Sequence, residues 1–281
     1  MRFLFRALAS CPLWLLHGLG AILGWLAYLL SPTYRRRFAA NAQQAGFTLA
    51  QVRGAIAHAG RMVAELPRLW LGAPVQIEWH GQDVFDAAHQ DNAGIIFLTP
   101  HLGCFEVTAQ AIARRYVAQQ RQITVLYRPA KQAWLQTLMS GARDRPGMRA
   151  VPASLSGVKA LVKALRHGDA LGMLPDQVPP QGLGIWADFF GKPAYTMTLS
   201  ARLAQQTGAK LVQVWGERLP WGRGYRVHFS AFEGDLSSDA ATAAGQINAA
   251  MEQVVRQCPE QYLWGYARYK APREEATGVP V

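Results

Sequence analysis

The stretch AGIIFLTPHLGCFE, residues 93–106, decides how the rest of the chain is read. Residues 94–98 form a short, nearly continuous apolar run with two adjacent isoleucines, the pattern of a strand buried on both faces of an α/β sheet. Pro100 stops it and leaves His101 just past the strand's carboxyl end, where ligands collect in open α/β sheets. From Gly103 onward, Phe105, Val107, Ala111, Ile112 and Tyr116 predict an amphipathic helix with Glu106 in its first turn. On this reading the tight loop brings the Glu106 carboxylate back to the His101 imidazole. Such a pair suits removal of a proton from a hydroxyl near neutral pH, because histidine titrates in that range and a carboxylate fixes its tautomer. A histidine at a strand end can equally be a hydrogen-bonding loop residue, and spacing alone does not separate the two.

Working outward, two more strand ends carry polar clusters. Residues 122–127 read as a strand followed by Arg128, whose planar fork suits a phosphate. Residues 170–174 read as another, running into Pro175, Asp176 and Gln177, where an Asp also commonly caps a turn. Strands are further expected over residues 75–80, 210–217 and 224–232, and helices over 157–167, 200–206 and 240–257. Residues 35–70 read as two helices joined near Gly46 that cover the domain, and residues 178–186 as a Gly/Pro-rich loop with exposed apolar residues. Strands alternating with helices predict an α/β fold.

Residues 12–30 contain no Asp, Glu, Lys or Arg. At about 1.5 Å per residue the run just reaches the roughly 30 Å of a bilayer's hydrocarbon core. Trp14, Trp25 and Tyr28 suit interfacial positions, and Gly20 with Gly24 makes a GxxxG contact face. A signal peptide is disfavoured, since no small-x-small cleavage site follows and Arg35, Arg36 and Arg37 come next. That basic cluster outweighs Arg2 and Arg6 and predicts a cytoplasmic main domain. Twenty-nine Lys and Arg against 18 Asp and Glu give a formal charge of +11, which favours anionic partners. Nucleic acid is not among the expected ones, for want of zinc-finger spacing, an RNP-type motif or a long basic run. Cys11, Cys104 and Cys258 are too far apart for a metal knuckle or a disulfide framework, and the histidines show neither H-E-x-x-H nor H-x-H, so no metal is expected.

His101 and Glu106, spaced His-x4-Glu after a buried strand, resemble the signature of glycerolipid-type acyltransferases. The surroundings are more similar to one branch, the lipid A biosynthesis (lauroyl/myristoyl, late or secondary) acyltransferases, which often carry Asn-Trp where this chain has Cys104 and Phe105. Tyr127-Arg128-Pro129 resembles the family's second block and Asp176-Gln177 its third. FFGKPAYT at 189–196 resembles the phrase before a helix, and PEQYLW at 259–264 the closing phrase. Family members commonly have a histidine two residues after that tryptophan, where this chain has Tyr266, with Arg268 and Lys270 beyond.

The resemblance, from the amino-terminal span to about Lys270, implies a mixed central sheet flanked by helices. It also implies an N-terminal membrane-anchoring helix (1–32), a catalytic domain (33–271) and a flexible tail (272–281). The implied enzyme is an O-acyltransferase of the bacterial inner membrane, facing the cytoplasm and serving lipopolysaccharide biosynthesis. Its donor is an acyl carrier protein thioester, its acceptor a hydroxyl of a lipid A precursor, and it needs no cofactor besides that co-substrate. His101 would be the base, oriented by Glu106. Arg128, Asp176 and Gln177 would bind substrate, stabilise the oxyanion or position other groups, Arg268 and Lys270 would contact headgroups, and anionic membrane lipid would be a further partner. Other readings are an acyltransferase for a lysophospholipid or glycolipid and a non-catalytic anionic-lipid-binding protein. The Glu-Gly-Thr-Arg block of the glycerol-phosphate branch is absent, as is a G-x-S-x-G elbow, and Cys104 is the alternative nucleophile.

Overall fold

The computed structural model describes residues 2–127 and 145–273; Arg128, with Lys131 and Arg143, lies outside the described residues. An N-terminal helical layer comprises α1 (Arg2–Ala9), α2 (Leu13–Leu30), α3 (Pro32–Gln44), α4 (Leu49–Val52), α5 (Gly54–Ala64) and α6 (Leu66–Leu71). Where two helices were expected over 35–70, local chemistry makes four. Ser31 caps α3 through the Tyr34 N–H, Thr48 and Gln51 close a reciprocal capping box on α4, and Pro67 sits in the first turn of α6. Then follow β1 (Ile77–His80), α7 (Gln82–Ala88), β2 (Ile95–Leu98), α8 (Phe105–Gln119), β3 (Ile123–Tyr127) and β4 (Met148–Pro152). The remainder is α9 (Leu155–Arg166), β5 (Ala170–Met173), β6 (Gly184–Phe189), β7 (Lys192–Met197), α10 (Leu199–Thr207), β8 (Lys210–Arg218), β9 (Tyr225–Ala231) and α11 (Ala240–Gln257).

Among the described residues, seven strands form one mixed sheet in the order β1-β9-β8-β2-β5-β3-β4, parallel throughout except for the β8–β9 pair. β2 lies between β8 and β5 with all four residues buried, as its apolar run predicts. Successive side chains point to opposite faces, so Ile96 and Leu98 enter one core while Ile95 and Phe97 enter the other. The phrase at 189–196 is a hairpin that the sequence reading did not contain. β6 and β7 turn at Phe190 and Gly191, both with positive φ, and the hairpin is fixed to α11 by Asn248 Nδ2, which donates to the Asp188 carbonyl (2.8 Å) and Thr196 Oγ1 (2.9 Å).

α2 packs on α5 through glycines. A Cβ on Gly60 would lie 1.9 Å from the Gly20 carbonyl oxygen, and one on Gly24 would lie 2.2 Å from that of Ile56. A polar network continues this contact into the sheet. Glu65, 1% exposed, accepts from Arg218 Nε (2.8 Å) and Nη2 (2.7 Å) and from the Tyr225 hydroxyl (2.9 Å), and it lies 3.1 Å from His17 Nε2 of α2. Burial pushes the Glu65 carboxyl up, but the Arg218 guanidinium and the His17 bond outweigh it and hold the carboxyl well below its ordinary value.

His58 sits between two arginines, 2.9 Å from Arg61 and 3.5 Å from Arg218. Burial, then those two cations, lower its pKa to about 2. An unfolded histidine titrates near 6.5, so between these values the folded chain binds fewer protons than the unfolded one. Stability from this group is therefore intact above about pH 6.5 and is lost as the pH falls below it, by roughly 1.4 kcal/mol per unit. Urea unfolding at pH 7, 6 and 5 should show this acid slope in the wild type and a shallower one in His58→Gln; equal slopes would assign the acid sensitivity elsewhere. Gly60→Ala should separate α2 from α5 and lower the thermal midpoint, whereas Gly18→Ala, whose Cβ would meet nothing within 4 Å, should not.

Candidate active site

Strand register places the site. β2 and β5 run parallel with Leu98 opposite Met173, and the Thr99 N–H extends the ladder to the Met173 carbonyl (3.0 Å). His101 and Asp176 each stand three residues past that matched pair, so they leave the sheet side by side. The His101 backbone N–H donates to Asp176 Oδ2 (2.8 Å), and His101 Nδ1 lies 2.7 Å from Oδ1. A carboxylate only accepts, so Nδ1 carries the ring proton and Nε2 presents its lone pair. Gln177 Nε2 stands 3.0 Å from that Nε2 and donates to it. The His101 side chain is 15% exposed and that of Asp176 only 2%, so a substrate can reach the imidazole while the carboxylate stays behind it. Burial pushes the Asp176 carboxyl up, but the His101 ring and N–H, helped by Arg268, win and hold it below its ordinary value.

The loop after His101 is stitched down on its far side. The Gly103 N–H donates to the Gln261 carbonyl (3.0 Å), the Cys104 N–H to the Gly216 carbonyl of β8 (2.7 Å), and the Leu263 N–H to the His101 carbonyl (3.2 Å). Gly103 has φ +54, and a Cβ there would lie 2.0 Å from the Gly216 oxygen, so this loop needs glycine. The closing phrase at 259–264 is thus the wall against which the histidine loop is built.

The expected contact between His101 and Glu106 is not made. With Cys104 anchored on β8, α8 starts at Phe105 and aims Glu106 at the N-terminal layer. There its carboxylate accepts from Trp70 Nε1 of α6 (3.3 Å). Phe105 takes the place beside the imidazole, with ring centroids 5.0 Å apart. Asp176, which the sequence reading left between turn cap and substrate group, is the partner of the histidine.

A sheet-borne histidine, its carboxylate partner and a helix opening with Glu106 are now in place, and comparison with known proteins gives them a context. The profile of the bacterial lipid A biosynthesis acyltransferases matches residues 5–271. The chain belongs to this family. It is 31% identical over 189 residues to the lipid A biosynthesis lauroyltransferase of Escherichia coli (strain K12), covering 66% of this chain and 57% of that protein. It is 26% identical to the lipid A biosynthesis palmitoleoyltransferase of the same organism over 68% of this chain and 60% of that one, and 24% identical to the myristoyltransferase over 67% and 57%. The matched segment thus spans 57–60% of these relatives' own length.

Within this member of the lipid A acyltransferase family, the remaining sequence candidates separate by exposure. Cys104 is 1% exposed, and burial followed by the charge of Glu65 pushes its thiol well up, so it is held as a thiol rather than a nucleophilic thiolate. Arg268, expected at a headgroup, is 3% exposed. Its guanidinium donates to the Tyr195 carbonyl (2.8 Å) and Thr196 Oγ1 (2.7 Å) and stacks over Phe189, which clamps the hairpin to the C-terminal segment. A headgroup contact requires an accessible cation, and this one is enclosed. Lys270 is half-buried, with its ammonium 5.2 Å from the Tyr266 ring. Tyr266 occupies the position where family members commonly carry a histidine, and its hydroxyl accepts from the Val178 N–H (3.0 Å), directly after Gln177. Gln261 carried no chemical signal in the sequence beyond membership of the closing phrase, because its partners are backbone groups.

Asp176→Asn should lower acyl transfer by about 10²–10⁴-fold, the range by which a positioned base contributes. Glu106→Gln, which keeps a carbonyl acceptor for Trp70, should lose less. A pH–rate profile of both variants separates the roles: only loss of Asp176 should shift the limb that reports His101. The reverse ranking would return the orienting role to Glu106.

Proposed function

We propose that this protein is a membrane-bound O-acyltransferase of lipopolysaccharide biosynthesis, transferring a fatty acyl chain from an acyl carrier protein thioester to a hydroxyl of a lipid A precursor. The observation that carries the reading is a partly exposed imidazole with its outward nitrogen unprotonated, in a chain of the lipid A acyltransferase family. In this reading the acceptor hydroxyl displaces the Gln177 amide from His101 Nε2. That nitrogen takes the hydroxyl proton as the oxygen attacks the thioester carbonyl. Asp176 is the positioning residue: it fixes the tautomer and stabilises the imidazolium. Collapse of the tetrahedral intermediate expels the carrier thiolate, which receives the proton back, leaving an ester and a free thiol.

The Gln177 amide, released from the ring, would be free to donate to the reacting carbonyl and stabilise its oxyanion. Arg128, which follows β3 in sequence, is assigned to donor phosphate or the same oxyanion. Glu106 supports the site through Trp70 and the start of α8. The enzyme would work at the cytoplasmic side of a bacterial inner membrane, with the chain's formal charge of +11 suited to an acidic donor protein and to anionic lipid.

Membranes holding the wild type or His101→Ala are incubated with a panel of acyl carrier protein thioesters and a tetra-acylated lipid A precursor, with the lipid product read by mass. A gain of one acyl group with the wild type, and its loss in the variant, is the expected result. Acylation of a lysophospholipid with the lipid A precursor unchanged would overturn the acceptor, and transfer undiminished in His101→Ala would overturn the base.

A further inference from the structure

α2 is apolar and long enough to cross a bilayer, with 18 residues and a mean hydropathy of 1.7, yet its packing argues for a different placement. One face is already used. Leu13, Leu16, His17, Gly20 and Gly24 are buried, the glycines press backbone to backbone against α5, and His17 reaches the Glu65 carboxylate that Arg218 and Tyr225 hold from the sheet. At one end Gly222, in the β8–β9 connection, packs against the Trp14 backbone; at the other Tyr28 joins an aromatic cluster with Tyr34 and Phe38 of α3. The helix is therefore seated on the domain along its whole length. To cross a bilayer it would have to take α5 with it, and α5 carries half-buried Arg61 and is preceded by exposed Arg53.

The other face is exposed and wholly apolar, with Leu19, Ile22, Leu23, Leu26, Leu29 and Leu30 between 44% and 79% exposed. Trp14 and Trp221, 61% and 89% exposed, stand at one end, and Phe3 and Leu4 of α1 add to the apolar surface. An apolar surface of this extent marks an interaction site. Its flanks are basic. Arg6 is exposed on α1, Arg36 is exposed just past α2, and Arg35 folds back to donate to the Tyr28 and Leu29 carbonyls at the end of the helix.

We infer that α2 does not span but lies in the plane of the membrane, sinking its outer face into one anionic leaflet while its inner face stays on the catalytic domain. Tryptophans at the edge and arginines at the flanks match the headgroup layer, as in interfacial helices. The basic flanks argue against a second copy of this chain as the occupant, because two such faces would bring like charges together. A helix held this way also ties the lipid surface to the chemistry. α3 continues from α2, Asn41 of α3 donates to the Trp264 and Tyr266 carbonyls (2.7 Å each), and Leu263 holds the His101 carbonyl. This placement rests on the membrane-bound reading above and refines it.

The test measures depth. With Cys11 replaced by Ser and the other two cysteines buried, nitroxide labels are placed one at a time in the full chain at W14C, L19C, L23C, L26C and L30C. The labelled proteins are bound to vesicles containing phosphatidylglycerol, and depth is read from oxygen against water-soluble nickel accessibility. An in-plane helix gives five similar depths, on the order of 5–10 Å. Depth that rises to roughly 15 Å at L23C and falls toward both ends, as 1.5 Å per residue requires of a spanning helix, would overturn the proposal. Full nickel access at all five sites would overturn membrane contact itself, while leaving acyl transfer to the assay above. Purely zwitterionic vesicles should bind at least about tenfold more weakly, and equal binding would remove the anionic leaflet.

Discussion

Glu65 is a carboxylate with almost no access to water, and the parts of this molecule that matter for function meet at it. Removing such a charge from solvent costs several kcal/mol, which only well-formed partners offset. Here the partners come from three separate places: Arg218 at the end of β8, Tyr225 at the start of β9, and His17 on the apolar N-terminal helix. Each partner is therefore held in one place by the need to satisfy the same charge. The strand end that supplies Arg218 also supplies Gly216, on which the histidine loop is fastened, and Gln261 brackets Arg218 through both its backbone groups. The seating of the N-terminal helix and the shape of the catalytic loop thus share one buried anchor.

The same economy of partners runs through the site. Asp176 binds both the backbone and the ring of His101, so one carboxylate fixes the position of the residue and the tautomer of its side chain. The C-terminal segment packs behind the loop, contacts α3 on its other side through Asn41, and reaches the turn after Gln177 through Tyr266. A site assembled from strand ends, one loop and the segment 259–268 forms only when the whole sheet is in register, which places it late among the consequences of folding.

Much of this was legible beforehand wherever the signal is local. The buried strand, its stop at Pro100 and the helix carrying Glu106 follow from apolar periodicity and one proline. So does the polar cluster after β5, since a strand end is visible in sequence whatever lies beside it. The hairpin of β6 and β7 was missed because Gly184 and Pro193 lie within its strands and a Gly/Pro-rich run precedes it, a composition that reads as loop. Arg268 was misplaced because a basic residue near the end of a chain reads as solvated, and only the carbonyls of a distant hairpin show that it is enclosed.

By itself, the sequence determined which residue types stand at which strand ends, His101 among them, and that the N-terminal helix has a fully apolar face. The tertiary structure alone decided which carboxylate that histidine binds and which face of the helix is left open. The reason is separation along the chain. Glu106 is near in sequence, but its helix is turned away by the bonds that pin Cys104 to β8, whereas Asp176 is 75 residues distant and is delivered by the pairing of β2 with β5. Strand order is a long-range outcome of packing, and no spacing within a motif encodes it.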